Sequence, residues 1–221
     1  GTSSLAMIIP AGAAADDILM MSVLTRSSAL LTVAEDSGST WTEKSRVFST
    51  IGLSCWWRRA GTDPSGSTVH VNGGANTILG NIVSYSGVVT TGDPFETHVS
   101  TIQAVTTSNG SLAAITALSS GAMIVLNISE PDDRVFTTSA AGGTPSSLAT
   151  RTNNVTAVGL DAGLLHVSNL IPSSGVTGTF TWSFAAGSGS FAINASALTP
   201  AGGGGGGGMK HPWRIGLMGM S

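Results

Sequence analysis

Four histidines, one cysteine and three adjacent carboxylate pairs are the side chains in this sequence whose types could do chemistry. His70, His98, His166 and His211 are scattered without metal-ligand spacing, and His166, inside Leu164-Leu165-His166-Val167, reads as a strand residue. Cys55 has no second cysteine for a disulfide or a thiolate cage, and no activating partner beside it. A Gly-x-Ser-x-Gly elbow is missing as well. The pairs Asp16-Asp17, Glu35-Asp36 and Asp132-Asp133 lack the alternation and turn glycine of an EF-hand loop. They read as solvated turn residues, a calcium ion held by such loops being the alternative. The expectation is a protein that is not an enzyme, with no catalytic residue, no metal and no cofactor.

Binding chemistry has better candidates. Trp41, Trp56, Trp57 and Trp182 offer ring faces on which sugars stack, although core packing is the plainer use of a tryptophan. Trp56 and Trp57 are neighbours on a predicted strand, so their rings point to opposite faces and cannot share one core. One of them must look outward or into an interface. Arg58 and Arg59 follow, so a guanidinium or a neighbouring chain could cover the outward ring. Trp56, Trp57, Arg58 and Arg59 are therefore a candidate contact, with an oligomer partner favoured over a glycan.

A second candidate is the C-terminus. Gly202 to Gly208 is an unbroken run of glycine. It spans on the order of 15 Å as a coil and about 24 Å fully extended. Beyond it, Trp213, Ile215, Leu217, Met218 and Met220 carry more apolar area than a free terminus should expose. At roughly 25 cal/mol per Å² their burial would contribute several kcal/mol, so this segment is expected to dock on another chain or another copy.

These residues must be positioned by a scaffold, and composition limits its class. The chain has 221 residues, 9 basic and 12 acidic, with formal charge −3, 10% charged and 41% hydrophobic positions, and a mean hydropathy of +0.30. Charge so sparse lacks the clustered Lys and Arg that a nucleic-acid binder needs, and there is no basic stripe for anionic lipid. Ser, Thr, Gly or Asp interrupts each apolar run before it reaches membrane-spanning length, so the expectation is a soluble protein without membrane insertion. The chain opens on Gly1, which suggests processing or truncation upstream.

Short β-branched or alternating stretches separated by Gly, Ser, Thr, Asn and Pro clusters predict an all-β fold, an antiparallel two-sheet β-sandwich of jelly-roll-like type. Its domain spans 1–200, followed by a polyglycine linker at 201–208 and the docking tail at 209–221. Ile18 to Leu24, continuously apolar apart from Ser22, predicts a strand buried on both faces. Trp41–Phe48 and Ile51–Arg59 predict a hairpin. Residues from Asp132 to Asn154 lack a clear apolar face and are expected to form a long surface connection.

An internal echo adds to this. Ser4-Leu5-Ala6 leading to Ile18-Leu19-Met20 recurs as Ser111-Leu112-Ala113 leading to Met123-Ile124-Val125. Gly66 to Val71 leading to Leu79–Tyr85 recurs as Gly178 to Ser183 leading to Phe191–Leu198. Both spacings are near half the chain, which predicts two similar β-sheet halves packed face to face.

The succession Pro10-Ala11-Gly12, Asp17-Ile18-Leu19, Gly38-Ser39-Thr40-Trp41, Cys55-Trp56-Trp57-Arg58-Arg59-Ala60 and Val83-Ser84-Tyr85-Ser86-Gly87-Val88 resembles a β-sandwich domain of tailed-phage virion structural proteins, over roughly Leu5 to Pro200. That family usually has Gly-Asp where this chain has Asp16-Asp17. The resemblance implies a virion location and a non-enzymatic role, as tail fibre or receptor-binding protein or as capsid decoration. Implied partners are other virion proteins or sister subunits, with a homotrimer as the expected assembly, and a host-surface glycan. The alternative is a carbohydrate-binding module of a bacterial secreted or surface protein.

Overall fold

The computed structural model describes residues 3–62, 64–74, 77–105, 109–139, 145, 147–157, 160–184 and 189–202. The proposed docking residues Trp213, Ile215, Leu217, Met218 and Met220 lie outside these, as does most of the glycine run. Among the described residues there is no helix. The strands are β1 (Ser3–Ile8), β2 (Ile18–Thr25), β3 (Thr32–Glu35), β4 (Thr42–Phe48), β5 (Gly52–Arg59), β6 (Thr68–Gly74), β7 (Ile78–Tyr85), β8 (Phe95–Val105) and β9 (Asn109–Leu112). They continue as β10 (Thr116–Ala117), β11 (Met123–Glu130), β12 (Phe136–Ser139), β13 (Ala149–Thr156), β14 (Ala162–Leu170), β15 (Gly175–Val176), β16 (Phe180–Phe184) and β17 (Gly189–Leu198).

The fold is an all-β sandwich of antiparallel sheets, and it is built twice. In the first half an outer sheet of order β1-β6-β3 covers a sheet of order β4-β5-β2-β7. In the second, an outer sheet β9-β16-β12 covers β13-β14-β11-β17, with β8 added at the β17 edge. Taking the strands of each half in turn, the two orders are the same. Ladder partners agree as well: Ile18 pairs with Arg59 and Tyr85, and Met123 pairs with Leu170 and Leu198. Even an irregularity repeats, since the register shifts at Lys44 on β4 and at Arg151 on β13. The echoed segments thus occupy equivalent strands, residue for residue between β2 and β11. Insertion of β8 and of the small β10-β15 ribbon distinguishes the second half.

The two large sheets pack against each other, so four layers result where a single pair of sheets was expected. Ile18, Met20, Val83 and Tyr85 meet Met123, Val125 and Leu198, while Leu24, Leu53 and Leu79 meet Ala162, Leu164 and Ala192. Leu19, Met21 and Val23 face the other way, onto Val69 and Val71 of the first outer sheet. This explains the run at β2: all eight of its residues are buried because both faces of the strand are covered. Outer strands alternate instead, as in β16, where Phe180, Trp182 and Phe184 are buried and Thr181 and Ser183 are half-buried.

The stretch from Asp132 to Asn154 departs from expectation, because β12 and most of β13 lie within it. Both pair along one side only, and an edge strand with few buried positions carries little apolar periodicity.

Candidate functional site

Strand β5 carries the sequence Trp56-Trp57-Arg58-Arg59, and its middle-layer position decides what each can do. Trp56 is 9% exposed and turns toward the outer sheet, its Nε1 donating to Ser54 Oγ at 3.1 Å. Arg58, 6% exposed, turns the same way and forms a two-pronged pair with Glu35, Nε to Oε2 at 2.7 Å and a terminal nitrogen to Oε1 at 2.6 Å. Of the four candidate contact residues, Trp56 and Arg58 are inside, so Trp57 is the tryptophan that turns away from the first core, as one of the two had to. The expectation of a solvated turn at Glu35 is corrected, because Glu35 is buried. Trp57 points to the opposite face, as adjacent strand positions must. That face is the junction with the second half, so the interface it enters lies largely within the chain itself. There its ring meets Phe95 edge-on, centroids 5.8 Å apart.

Glu35 organises the loop beside β5. Its Oε2 also accepts from Trp41 Nε1 at 2.8 Å, its Oε1 accepts from Ser37 Oγ at 2.6 Å, and the Arg58 guanidinium lies 5.5 Å from the Trp41 ring centroid. Gly38, at φ 76°, turns the chain between these contacts, a conformation that a side chain would strain. The loop is thereby fixed against β5, and an open groove of about 390 Å³ remains, lined by Ser39, Thr40, Thr42 and Gly61 with Trp57, Arg58 and Arg59. Arg59 is held by two carbonyls, donating to Val89 O at 2.5 Å and Asp16 O at 3.4 Å. Among the described residues it pairs with no carboxylate, whereas Arg58 is neutralised by Glu35. The groove therefore combines a half-buried indole, three hydroxyl side chains and one uncompensated positive charge. Such a surface suits a hydroxyl-rich ligand, neutral or anionic.

Ser39, Thr40 and Thr42 carried no signal in the sequence, because Ser and Thr are everywhere in this chain. The second half offers no copy of the site: by ladder register Ser168 stands where β5 has Trp57.

The other chemically capable side chains are engaged elsewhere. His166 is fully buried between the halves, with Tyr85 Oη 2.6 Å from Nε2 and Asn81 Oδ1 3.1 Å from Nδ1; burial first, then the charge of Arg151, pushes its pKa down to about 3. His98 sits between Ser196 Oγ at 2.8 Å and Ser45 Oγ at 2.7 Å, lowered to about 4 by burial and by Lys44. His70 is exposed beside Asp36 at 3.0 Å, and His211 is outside the described residues. Burial pushes the Cys55 thiol up to about 12, and Trp182 lies in the second core.

No family model matches the chain, and no curated protein and no solved structure matches it.

Proposed function

We propose that this protein is a non-enzymatic component of a tailed-phage virion, displayed on the particle as a tail-fibre, receptor-binding or decoration protein and assembled through its C-terminal segment. The reading rests on the sequence resemblance, and one structural observation supports it most. The histidines His98 and His166, Cys55 and the Glu35-Arg58 pair are all used to join strands and halves, which makes a rigid scaffold with loops at its surface. Mass spectrometry of purified particles of the encoding phage tests this: its peptides are expected at a fixed ratio to the other virion proteins, and absence from the particles would overturn the proposal. Light scattering on the full chain tests the trimer, with a monomer at micromolar concentration as the opposing result.

A second reading, a carbohydrate-binding module, is favoured by the groove over Trp57. Glycan-array binding by the full chain, weakened roughly tenfold or more in Trp57→Ala, would support it. Binding that ignores this substitution would remove the groove from consideration.

A further inference from the structure

The second half carries two elements that the first lacks, strand β8 and the β10-β15 ribbon, and they lie together. Thr97 Oγ1 on β8 donates to Thr116 O on the ribbon, and Glu96 Oε2 accepts from the backbone nitrogens of Leu118 and Ser119 at 2.7 and 3.0 Å. What they add to the duplicated architecture includes exposed apolar side chains. Leu118 and Val176 are 66% and 69% exposed at the ribbon, and Val99, two residues beyond Thr97 and so on the same face of β8, is 37% exposed.

Strand β8 is also an open edge. It pairs with β17 along one side, and among the described residues no backbone partner meets its other side. From Thr97 to Val105 its ladder runs without a register shift, about 30 Å of regular strand. Long edges are normally blunted by charge or by a bulge. Edge strand β4 has Glu43, Lys44 and Arg46 with a register shift, and β13 has Arg151 with another. Thr97 to Val105 has no such shift, and its one titratable side chain, His98, is bonded to Ser45 and Ser196.

A segment with the pattern of a strand is available to this edge. Trp213, Ile215 and Leu217 recur at every second residue with Arg214 and Gly216 between them, the period of a strand with one apolar face, and Pro212, which could not donate to a ladder, stands before them. Lys210 and Arg214 make this segment positive, with no acidic side chain, whereas the rest of the chain has more acidic than basic residues. Glu96, at the start of the open edge, has no cation partner among the described residues.

We infer that residues 213–217 of one copy add a strand to the open edge of β8 in a neighbouring copy, with Trp213, Ile215 and Leu217 laid against Val99, Leu118 and Val176. This rests on the reading that the protein assembles through its C-terminal segment, and names the surface that receives it. The place where the tail departs favours a neighbour over the same chain. Leu198 pairs with Phe95 and Thr199 N donates to Pro94 O, so the chain leaves at the start of β8. Its own tail would lie parallel to β8, the weaker pairing, whereas a neighbour's can run antiparallel. Gly202 to Gly208, about 24 Å when extended, supplies the reach. Head-to-tail exchange of this kind closes into a ring, as a trimer requires.

The test uses the full chain. Val99→Cys and Ile215→Cys proteins, mixed and oxidised, are expected to give a cross-linked pair of twice the chain mass in greater yield than either alone; the native Cys55 is buried and does not compete. By light scattering, Val99→Lys and Ile215→Asp should each weaken assembly about tenfold or more while keeping the circular dichroism of the parent. Loss of assembly in Ile215→Asp with parental assembly in Val99→Lys would overturn the β8 site and leave the tail's role in assembly standing. In a chain carrying both cysteines, a cross-link formed only at monomer mass would put the tail on its own copy and overturn the inference. A parent chain that is monomeric at micromolar concentration would overturn both readings.

Discussion

Asn81 and Asn194 occupy equivalent places in the two halves, and each is bonded to the other half. Asn81 Nδ2 donates to Thr152 Oγ1 at 2.9 Å, and Ser45 Oγ donates to Asn194 Oδ1 at 3.3 Å. Ser45, Cys55, Ser22 and Asn81 are successive ladder partners across the first central sheet; Thr152, His166, Asn127 and Asn194 are their counterparts in the second. Exchanging the halves maps one contact onto the other, as a twofold relation requires. A polar row thus crosses both central sheets where they meet, and its contacts between them are reciprocal.

Asn81→Ala is therefore expected to cost about 1–3 kcal/mol, because Thr152 and His166 each lose a partner in a buried place. Urea unfolding followed by tryptophan fluorescence measures it; a loss below about 0.5 kcal/mol would show that the row contributes little.

Glu35→Ala should be more severe, about 3–5 kcal/mol, since it leaves the Arg58 charge buried without its carboxylate and frees the Trp41 indole nitrogen. The double variant Glu35→Ala with Arg58→Met is expected to recover part of the loss. A double variant no more stable than Glu35→Ala alone would contradict this account.

Acid should weaken the fold through two histidines, the buried His166 and the half-buried His98. Both have folded pKa values below the unfolded value of about 6.5, near 4 for His98 and near 3 for His166, so the unfolded chain binds more protons across that interval. Their contribution is complete above pH ~6.5 and is lost as pH falls toward those folded values. Melting temperature recorded from pH 8 to 4 should fall below about 6.5, and His98→Asn should flatten the slope. A slope unchanged in that variant would assign the effect elsewhere.

Gly110→Ala tests the packing of the second outer sheet. Gly110 is the ladder partner of Trp182, whose ring lies across it in contact with the place a Cβ would take. Displacing that ring should cost about 1–3 kcal/mol, read from thermal denaturation. Stability equal to the parent would show that the indole shifts freely.

Much of the scaffold was legible in the sequence because buried strands announce themselves. The run at Ile18–Leu24, apolar but for Ser22, predicted two covered faces, and repetition of short motifs half a chain apart predicted the paired halves. What stayed hidden has a physical reason in each case. Strands β3, β12 and β13 lie at sheet edges, where half the positions are wet. Glu35 looked like a surface acid because its partner Arg58 is far along the chain. Trp56 and Trp57 were rightly sent to opposite faces, but the number of layers was not visible, so the buried fate of the first and the groove over the second were not distinguished.

The face-to-face junction of the two central sheets also governs how the molecule is born. When the first half leaves the ribosome, Ile18, Met20, Leu24, Leu53 and Leu79 form a sticky plane whose cover, Leu164 and Ala192 among others, has yet to be translated. Until it arrives, the nascent chain is exposed to pairing with a sibling in place of its own second half.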